Sequence, residues 1–312
     1  MTEAKTAFKK RCYGIVIVKS ENSNFNADFT GNPRRLPDSK STIYATDKAL
    51  KYAIRKYWVD AGKPVFVWKT FRGEKDAYLP LTLEERYMAM KELLKKESPL
   101  DIFAECIDTK LFGITFAMKS KKAEENKNIS LTGPVQITYG VNRFEENIIF
   151  SNDILSPYAS ESGDKSSTIG NENKAKEIYY VYDFVINPQN LLNHYENNPE
   201  VREKMTVTVE DIAALKEAFK YAVTNLNSAS KVGSENVLSL FITLPENSLA
   251  QLPIMKNLVK ISKAADKTVI DLNALAGLLE PYELEAVELF FNENILKVLY
   301  PGENKKWLTG CL

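Results

Sequence analysis

The sequence predicts an α+β fold, and three observations carry that expectation. Short runs rich in Val, Ile and aromatic residues, such as "CYGIVIVK" (12–19) and "EIYYVYDFVI" (177–186), have the length and composition of strands. Between such runs lie stretches with apolar residues at i, i+3, i+4 and i+7 behind a capping residue, as in amphipathic helices. With 312 residues, 44% of them hydrophobic and 26% charged, the chain can build a sizeable core as one large domain or two small ones.

The run 12–19 is short enough to be a strand buried on both faces. It opens into a long polar loop, Ser20 to Thr42, "SENSNFNADFTGNPRRLPDSKST", with four Asn, two Pro and one Gly. Loops of this length inside compact domains are functional or disordered. Helix is expected from about Thr46, whose hydroxyl can cap the first turn, to Asp60, where "AGKP" stops it. Leu50, Ala53, Ile54 and Tyr57 form its apolar stripe, and Lys48, Lys51 and Arg55 fall in one row on the opposite face.

"PVFVWKTF" (64–71) predicts a second strand, and "TLEERYMAMKELLKK" (82–96) and "PLDIFAECI" (99–107) predict two helices. Strand patterns return in "KLFGITFAM" (110–118) and "NISLTGPVQITYG" (128–140), joined by the charged turn "KSKKAEENK". From Ser151 to Lys176 the composition turns to Ser, Gly, Asn and charge, which reads as a mobile projection. The strand 177–186 follows, then a helix opened by the capping pair Thr208 and Asp211 and lined by Ile212, Leu215, Phe219 and Val223, then the strand "NVLSLFITL" (236–244). "AVELFFNENILKVLY" (286–300) fits helix or strand, and the C-terminal tail is unassigned. Stripped of insertions, the order resembles the β-α-β-β-α-β ferredoxin-like plan also used by RNA-recognition-motif domains. That plan hosts many functions, so the site must carry the argument.

Several classes are disfavoured. No apolar run is long enough to cross a bilayer and "MTEAKTAFKKRC" lacks a signal-peptide core, so a cytoplasmic protein without membrane contact is expected. Cys12, Cys106 and Cys311 are widely spaced with one histidine, His194, in the chain, a poor basis for a zinc site or a disulfide framework. His194 lies in the polar stretch "LLNHYENN" without a catalytic pattern. There is no GxxxxGK[ST] and no GxGxxG, and no cofactor is expected.

The net charge of zero hides an asymmetry. Residues 1–72 hold 15 of the 41 Lys and Arg but only six of the 41 Asp and Glu, a balance of +9, which leaves −9 on the remaining 240 residues. Such a split suits one nucleic-acid-facing side. Arg34, Arg35 and Lys40 in the loop, with Lys48, Lys51 and Arg55 on the helix, can each neutralise a phosphate. Asn22, Asn24 and Asn26 can donate to phosphate or 2′-hydroxyl oxygens, and Gly31 permits close approach. Lys56 and Lys63 read as ordinary solvated charges. Asp28 and Asp38 could assist cleavage of a bound RNA, but "DFTGNP" and "PDS" read first as turns.

Four blocks carry a family resemblance: "GIVIVKSENSNFN", "IYATDKALKYAIRKYW", "LFG" followed by "ISLTGPVQITYG", and "SSTIG" leading into "EIYYVYDFVIN". Spread over about residues 12–245, together they resemble the Cas7 family, the repeating backbone subunit of type I CRISPR surveillance complexes (Cascade), most closely the subtype I-B form. The family's loop pattern is closer to "NPNGDP", from which "NSNFNADFTGNP" departs.

The resemblance implies a hand-shaped single domain. Its ferredoxin-like palm would comprise about 10–72, 108–140 and 177–245, with a helical finger insertion at about 73–107 and a thumb hairpin at about 141–176. The segment 246–312 stays unassigned. It implies a non-catalytic subunit whose copies stack along CRISPR guide RNA while target DNA pairs with the guide. Partners would be further copies of itself, the large subunit, the guide-end-capping subunit and the repeat endonuclease. By position in the matching blocks, Lys19, Asn22, Asn24, Thr46, Lys48, Lys51, Arg55, Gln136, Ser166, Ser167 and Thr168 would face the guide; Gln136 and the three hydroxyl residues also read as plain turn chemistry. Two alternatives stay open: a backbone ribonuclease like those of type III complexes, cleaving target RNA through Asp28 or Asp38, and a solitary RNA-recognition-type domain.

Overall fold

A computed structural model describes residues 6–73, 78–118, 127–155, 169–264, 267–301 and 307–312. Its elements begin with β1 (Cys12–Ser23), β2 (Tyr44–Ala45), α1 (Asp47–Asp60), α2 (Leu83–Leu94), α3 (Pro99–Glu105) and α4 (Ile107–Phe112). Then come β3 (Gly113–Met118), β4 (Lys127–Thr132), β5 (Val135–Ile137), β6 (Gly140–Asn142), β7 (Ile149–Leu155) and β8 (Ile169–Ile186). The helices α5 (Gln189–Leu192), α6 (Pro199–Met205) and α7 (Val209–Tyr221) lead to β9 (Ser234–Thr243). The chain closes with β10 (Lys260–Ala264), β11 (Lys267–Asp271), α8 (Asn273–Leu279), β12 (Ala286–Phe291), β13 (Leu296–Leu299) and β14 (Trp307–Cys311).

The main sheet runs β14-β12-β9-β1-β8-β6-β2, with β5 and β7 also on β8. β1 is antiparallel to β8 on one edge, from Cys12↔Ile186 to Ser23↔Ala175, and to β9 on the other. The 18-residue β8 carries β5 and β6 towards its C-terminal end and β7 along its N-terminal end. Ala175 pairs with both Ser23 and Ile149, so β7 leaves the sheet on the edge opposite β1.

The continuous apolar run of β1 follows from cover on both faces. Val16 and Val18, with Tyr180, Tyr182 and Phe184 of β8, face α1 and α7 through Leu50, Ile54, Trp58, Leu215 and Phe219. Ile15 and Ile17 face the other way, into a second core built with Leu252, Met255, Ile270, Leu275 and Leu279. The unassigned C-terminal segment is therefore the lid of the sheet's second face, and it also donates β12 and β14 to the sheet itself. A third core, around Phe66, Tyr87, Ile102, Phe103 and Phe116, belongs to the helical insertion.

Local signals account for the helices that were expected. Thr46 caps α1, its side chain accepting from Ala49 N, and Thr208 and Asp211 form a reciprocal capping box at α7. Trp58, rather than Tyr57, completes the buried stripe of α1 beside Leu50, Ala53 and Ile54.

Four expectations are corrected. Residues 64–71 form no strand beyond an isolated bridge at Phe71. Their backbone groups are taken by side chains instead: Phe66 N and Val67 N donate to Asp108, and Arg86 donates to the carbonyls of Val65 and Phe66. Residues 110–112 are helical, and strand begins only at Gly113, whose φ of +77 makes the turn. β1 runs on to Ser23 because its ladder with β8 continues there, so the long loop starts at Asn24. The ambiguous stretch 286–300 resolves into two strands, β12 beside β9 and β13 beside β11.

Candidate nucleic-acid interface

The loop 24–42 is built by its own side chains. Asp28 Oδ1 accepts from Thr30 N (2.9 Å), Thr30 Oγ1 (2.8 Å) and Asn32 N (3.0 Å), and Asn32 Nδ2 donates to Thr30 Oγ1 (2.8 Å). Asp38 Oδ1 accepts from Thr42 N at 2.9 Å. Both carboxyls are turn formers. Hydrogen bonds to the charged form, led by the Thr30 hydroxyl at Asp28 and the Thr42 amide at Asp38, hold both below the ordinary carboxylate range.

Anchors tie this loop to β8, to the cap of α1 and to the connection between β6 and β7. Asn24 Nδ2 donates to Gly31 O and to Asn173 O of β8, both at 2.9 Å. Asn26 Oδ1 accepts from Thr46 N (2.9 Å) and Thr46 Oγ1 (3.1 Å), joining the loop to the cap of α1. Arg35 donates to Ser41 O (2.6 Å) and Asn147 O (3.2 Å). Asn147 in turn donates to the Lys40 and Ser41 carbonyls and accepts from Ile43 N. Asn24 Nδ2 and Asn26 Oδ1 are thus engaged within the chain, and Asn22 is exposed at the end of β1 with φ +47.

Lys48, Lys51 and Arg55 do not make one exposed row. Lys48 is 83% exposed, but the side chains of Lys51 and Arg55 are only 13% and 14% exposed. Lys51 pairs with Asp47 at 3.2 Å, Arg55 Nε donates to the buried Asp108 at 2.9 Å, and both cations lie over the Phe112 ring. Burial pulls the Lys51 ammonium below its ordinary pKa. The cause is α4 and the segment 65–67, which cover a flank of α1 that helical periodicity assigns to solvent.

The other predicted residues scatter. Lys19 pairs with Glu21 and Glu235, and Arg34 is half-buried with an Nε that has no partner among the described residues. Gln136 donates to Gly133 O at 2.8 Å, holding a turn. It sits opposite Val185, twelve residues along β8 from Asn173 and so roughly 40 Å away at about 3.3 Å per residue. Ser166, Ser167 and Thr168 lie outside the described residues. His194 Nε2 accepts from Thr132 N at 3.1 Å.

What the fold brings together is the loop 24–42, the N-terminus of α1 and the root of the β7–β8 hairpin. Asn147 and Arg143, which sequence reasoning missed, border an open cleft with Lys40, Thr42 and Asn142. No local pattern marks them, since their role depends on contacts about a hundred residues away. The Asn142 and Asn147 amides are spent on carbonyls of the chain, and Asp38 and Glu145 also border the cleft, so the groups there that can meet a phosphodiester backbone are Lys40 and Arg143. Among the described residues no group of three or more His, Cys, Asp or Glu could hold a metal ion.

A solved chain described as "CRISPR RNA-guided surveillance complex, pre-nicking" aligns with 94% of this chain and 97% of its own length, at 14% identity and a TM-score of 0.48. Another, described as "CRISPR RNA-guided surveillance complex", aligns with 92% and 96% at 12% identity and a TM-score of 0.45. No curated protein matches. The sequence pattern of the family described as CRISPR-associated protein Cas7 matches residues 10–274, which include every strand of the main sheet except β12 and β14. Matched over more than four-fifths of its length, the chain belongs to the CRISPR-associated protein Cas7 family.

Proposed function

We propose that this protein is a non-catalytic backbone subunit of a type I CRISPR Cascade complex of the subtype I-B form. It oligomerises along the guide RNA in the cytoplasm, grips the phosphate backbone and presents bases for pairing with target DNA. Sequence specificity then belongs to the guide, and the protein reads charge and shape. The observation that carries this reading is the family match over residues 10–274.

The geometry supports the finer parts. The antiparallel order β9-β1-β8-β6, with α1 and α7 against one face, supports a ferredoxin-like palm. Helices α2 and α3 support a finger within about 73–107, and the β7–β8 hairpin a thumb within about 141–176. Segment 246–312 would then brace the palm from behind. Of the predicted cations, Lys40 and Lys48 are the exposed ones best placed for phosphate, with Arg143 across the cleft. The commitment of the Asp28 and Asp38 carboxylates to turns favours holding RNA over cutting it. The large subunit, the guide-end-capping subunit and the repeat endonuclease complete the proposed assembly.

The test is RNA binding across RNA lengths and salt concentrations, with mass determination, for wild type and a Lys40→Ala/Lys48→Ala variant. Particle mass should grow in protomer steps with RNA length. The variant's salt slope should be shallower by about 1.4, at about 0.7 per phosphate contact on a single strand. One copy per RNA whatever its length overturns the filament, and an unchanged slope overturns the two contacts.

A further inference from the structure

Phe29 is the feature that the RNA-gripping surface leaves unexplained. The residue is 102% exposed, whereas Phe25, four residues earlier, is 2% exposed and packs 5.8 Å from the Tyr180 ring. The turn that carries Phe29 is tied on both sides. Asp28 N donates to Asn32 O (2.8 Å), Gly31 N to Asp28 O (3.3 Å), and Gly31 takes φ +83. The Asp28 carboxylate gathers three donors, and the Gly31 carbonyl is held by Asn24, the residue that also grips β8. The chain therefore holds a bare phenyl ring in water on a braced turn between the hairpin root and the cap of α1.

We propose that Phe29 is a stacking platform for an unpaired nucleobase of the bound RNA strand, an inference that rests on the RNA-holding reading above. A phenyl ring has no polar atom and every base has a π face, so the contact is indifferent to sequence. That suits a protein whose cations read only backbone: the cations hold the phosphate of a nucleotide while the ring holds its base. The braced turn keeps the ring in place before binding, so little freedom is lost on contact. A pocket on a second copy is the competing occupant. The turn that carries Phe29 is otherwise polar, with Asp28 and Thr30 on either side in sequence and Asn32 bonded to Thr30, a setting that fits one stacked base better than the apolar core of a protein contact.

The experiment compares wild type with F29A, F29L and F29W on two single-stranded RNAs of equal length, one with bases and carrying 2-aminopurine at successive positions, the other fully abasic. F29A should bind the base-containing RNA about tenfold more weakly and the abasic RNA as wild type does. F29W should match wild type, and F29L should side with F29A. Quenching of 2-aminopurine should recur at a fixed interval in wild type and vanish in F29A. Equal weakening of F29A on both RNAs, or an F29L that binds like wild type, places the ring against protein and overturns the proposal. So does an F29A that binds the base-containing RNA as tightly as wild type, and in that case the RNA-holding reading survives. Failure of wild type to bind either RNA overturns both.

Discussion

Asp108→Ala tests the reassignment of Arg55 from the RNA face to the fold. Asp108 is fully buried and accepts from Phe66 N (2.7 Å), Val67 N (3.0 Å) and Arg55 Nε (2.9 Å). Its removal strands a mostly buried guanidinium, and breaking a buried pair from one side costs about 3–5 kcal/mol. Two amides also lose their acceptor, at about 1–3 kcal/mol each when water cannot replace it. These costs overlap, because the space left by the carboxylate admits water, and we expect a net loss of about 4 kcal/mol. At about 2.1 cal/mol/K of unfolding entropy per residue, 312 residues give about 0.65 kcal/mol/K, so Tm should fall by about 6 °C. Asp108→Asn keeps the shape and one acceptor and should lose about half as much. Arg55→Met should be destabilising alone and should couple to Asp108→Ala by more than about 1 kcal/mol in a double-mutant cycle. Arg55→Met should leave the RNA salt slope unchanged at equal folded fraction. Thermal melts followed by circular dichroism, with hydrogen exchange at the Phe66 and Val67 amides, provide the readout. A Tm for Asp108→Ala within 1 °C of wild type, or strictly additive single substitutions, would refute the reasoning.

Two further outcomes follow from the packing. In Gly14→Ala the new Cβ would lie 2.0 Å from Leu240 O and 2.4 Å from the Phe184 ring, in the centre of the sheet. Overpacking against a backbone carbonyl should cost about 3 kcal/mol, seen as a lower urea midpoint; a midpoint equal to wild type would contradict the close approach of β1 and β9. Native protein at pH 8 should react with a thiol reagent at Cys311 alone, and all three cysteines should react once it is unfolded. Burial pushes the Cys12 thiol up to about 11 and raises that of Cys106 as well, so moving to pH 9 should not recruit either; rapid native labelling of more than one thiol would show that these cores open.

The sequence by itself determined the parts that local chemistry decides. Thr46 and the Thr208–Asp211 box start their helices through bonds three residues away, and the apolar run of β1 required cover on both faces. The long polar loop, the basic segment 1–72 and the blocks that resemble the Cas7 family were equally readable. Tertiary structure alone decided what those parts touch. Helical periodicity says which flank of α1 faces the sheet, but not that Asp108, 53 residues on from Arg55, covers part of the opposite flank. Residues 64–71 have strand composition, yet Asp108 and Arg86 take hydrogen bonds a ladder would have used. The side chains of Asn24 and Asn26 were readable as donors and acceptors, but whether they point to a ligand or to Asn173 and Thr46 depends on where distant backbone arrives. The physical reason is the same in each case. Secondary structure is set by bonds a few residues long, whereas the exposure of a charged or amide side chain is set by which remote segment packs against it, and that information is spread over the whole fold.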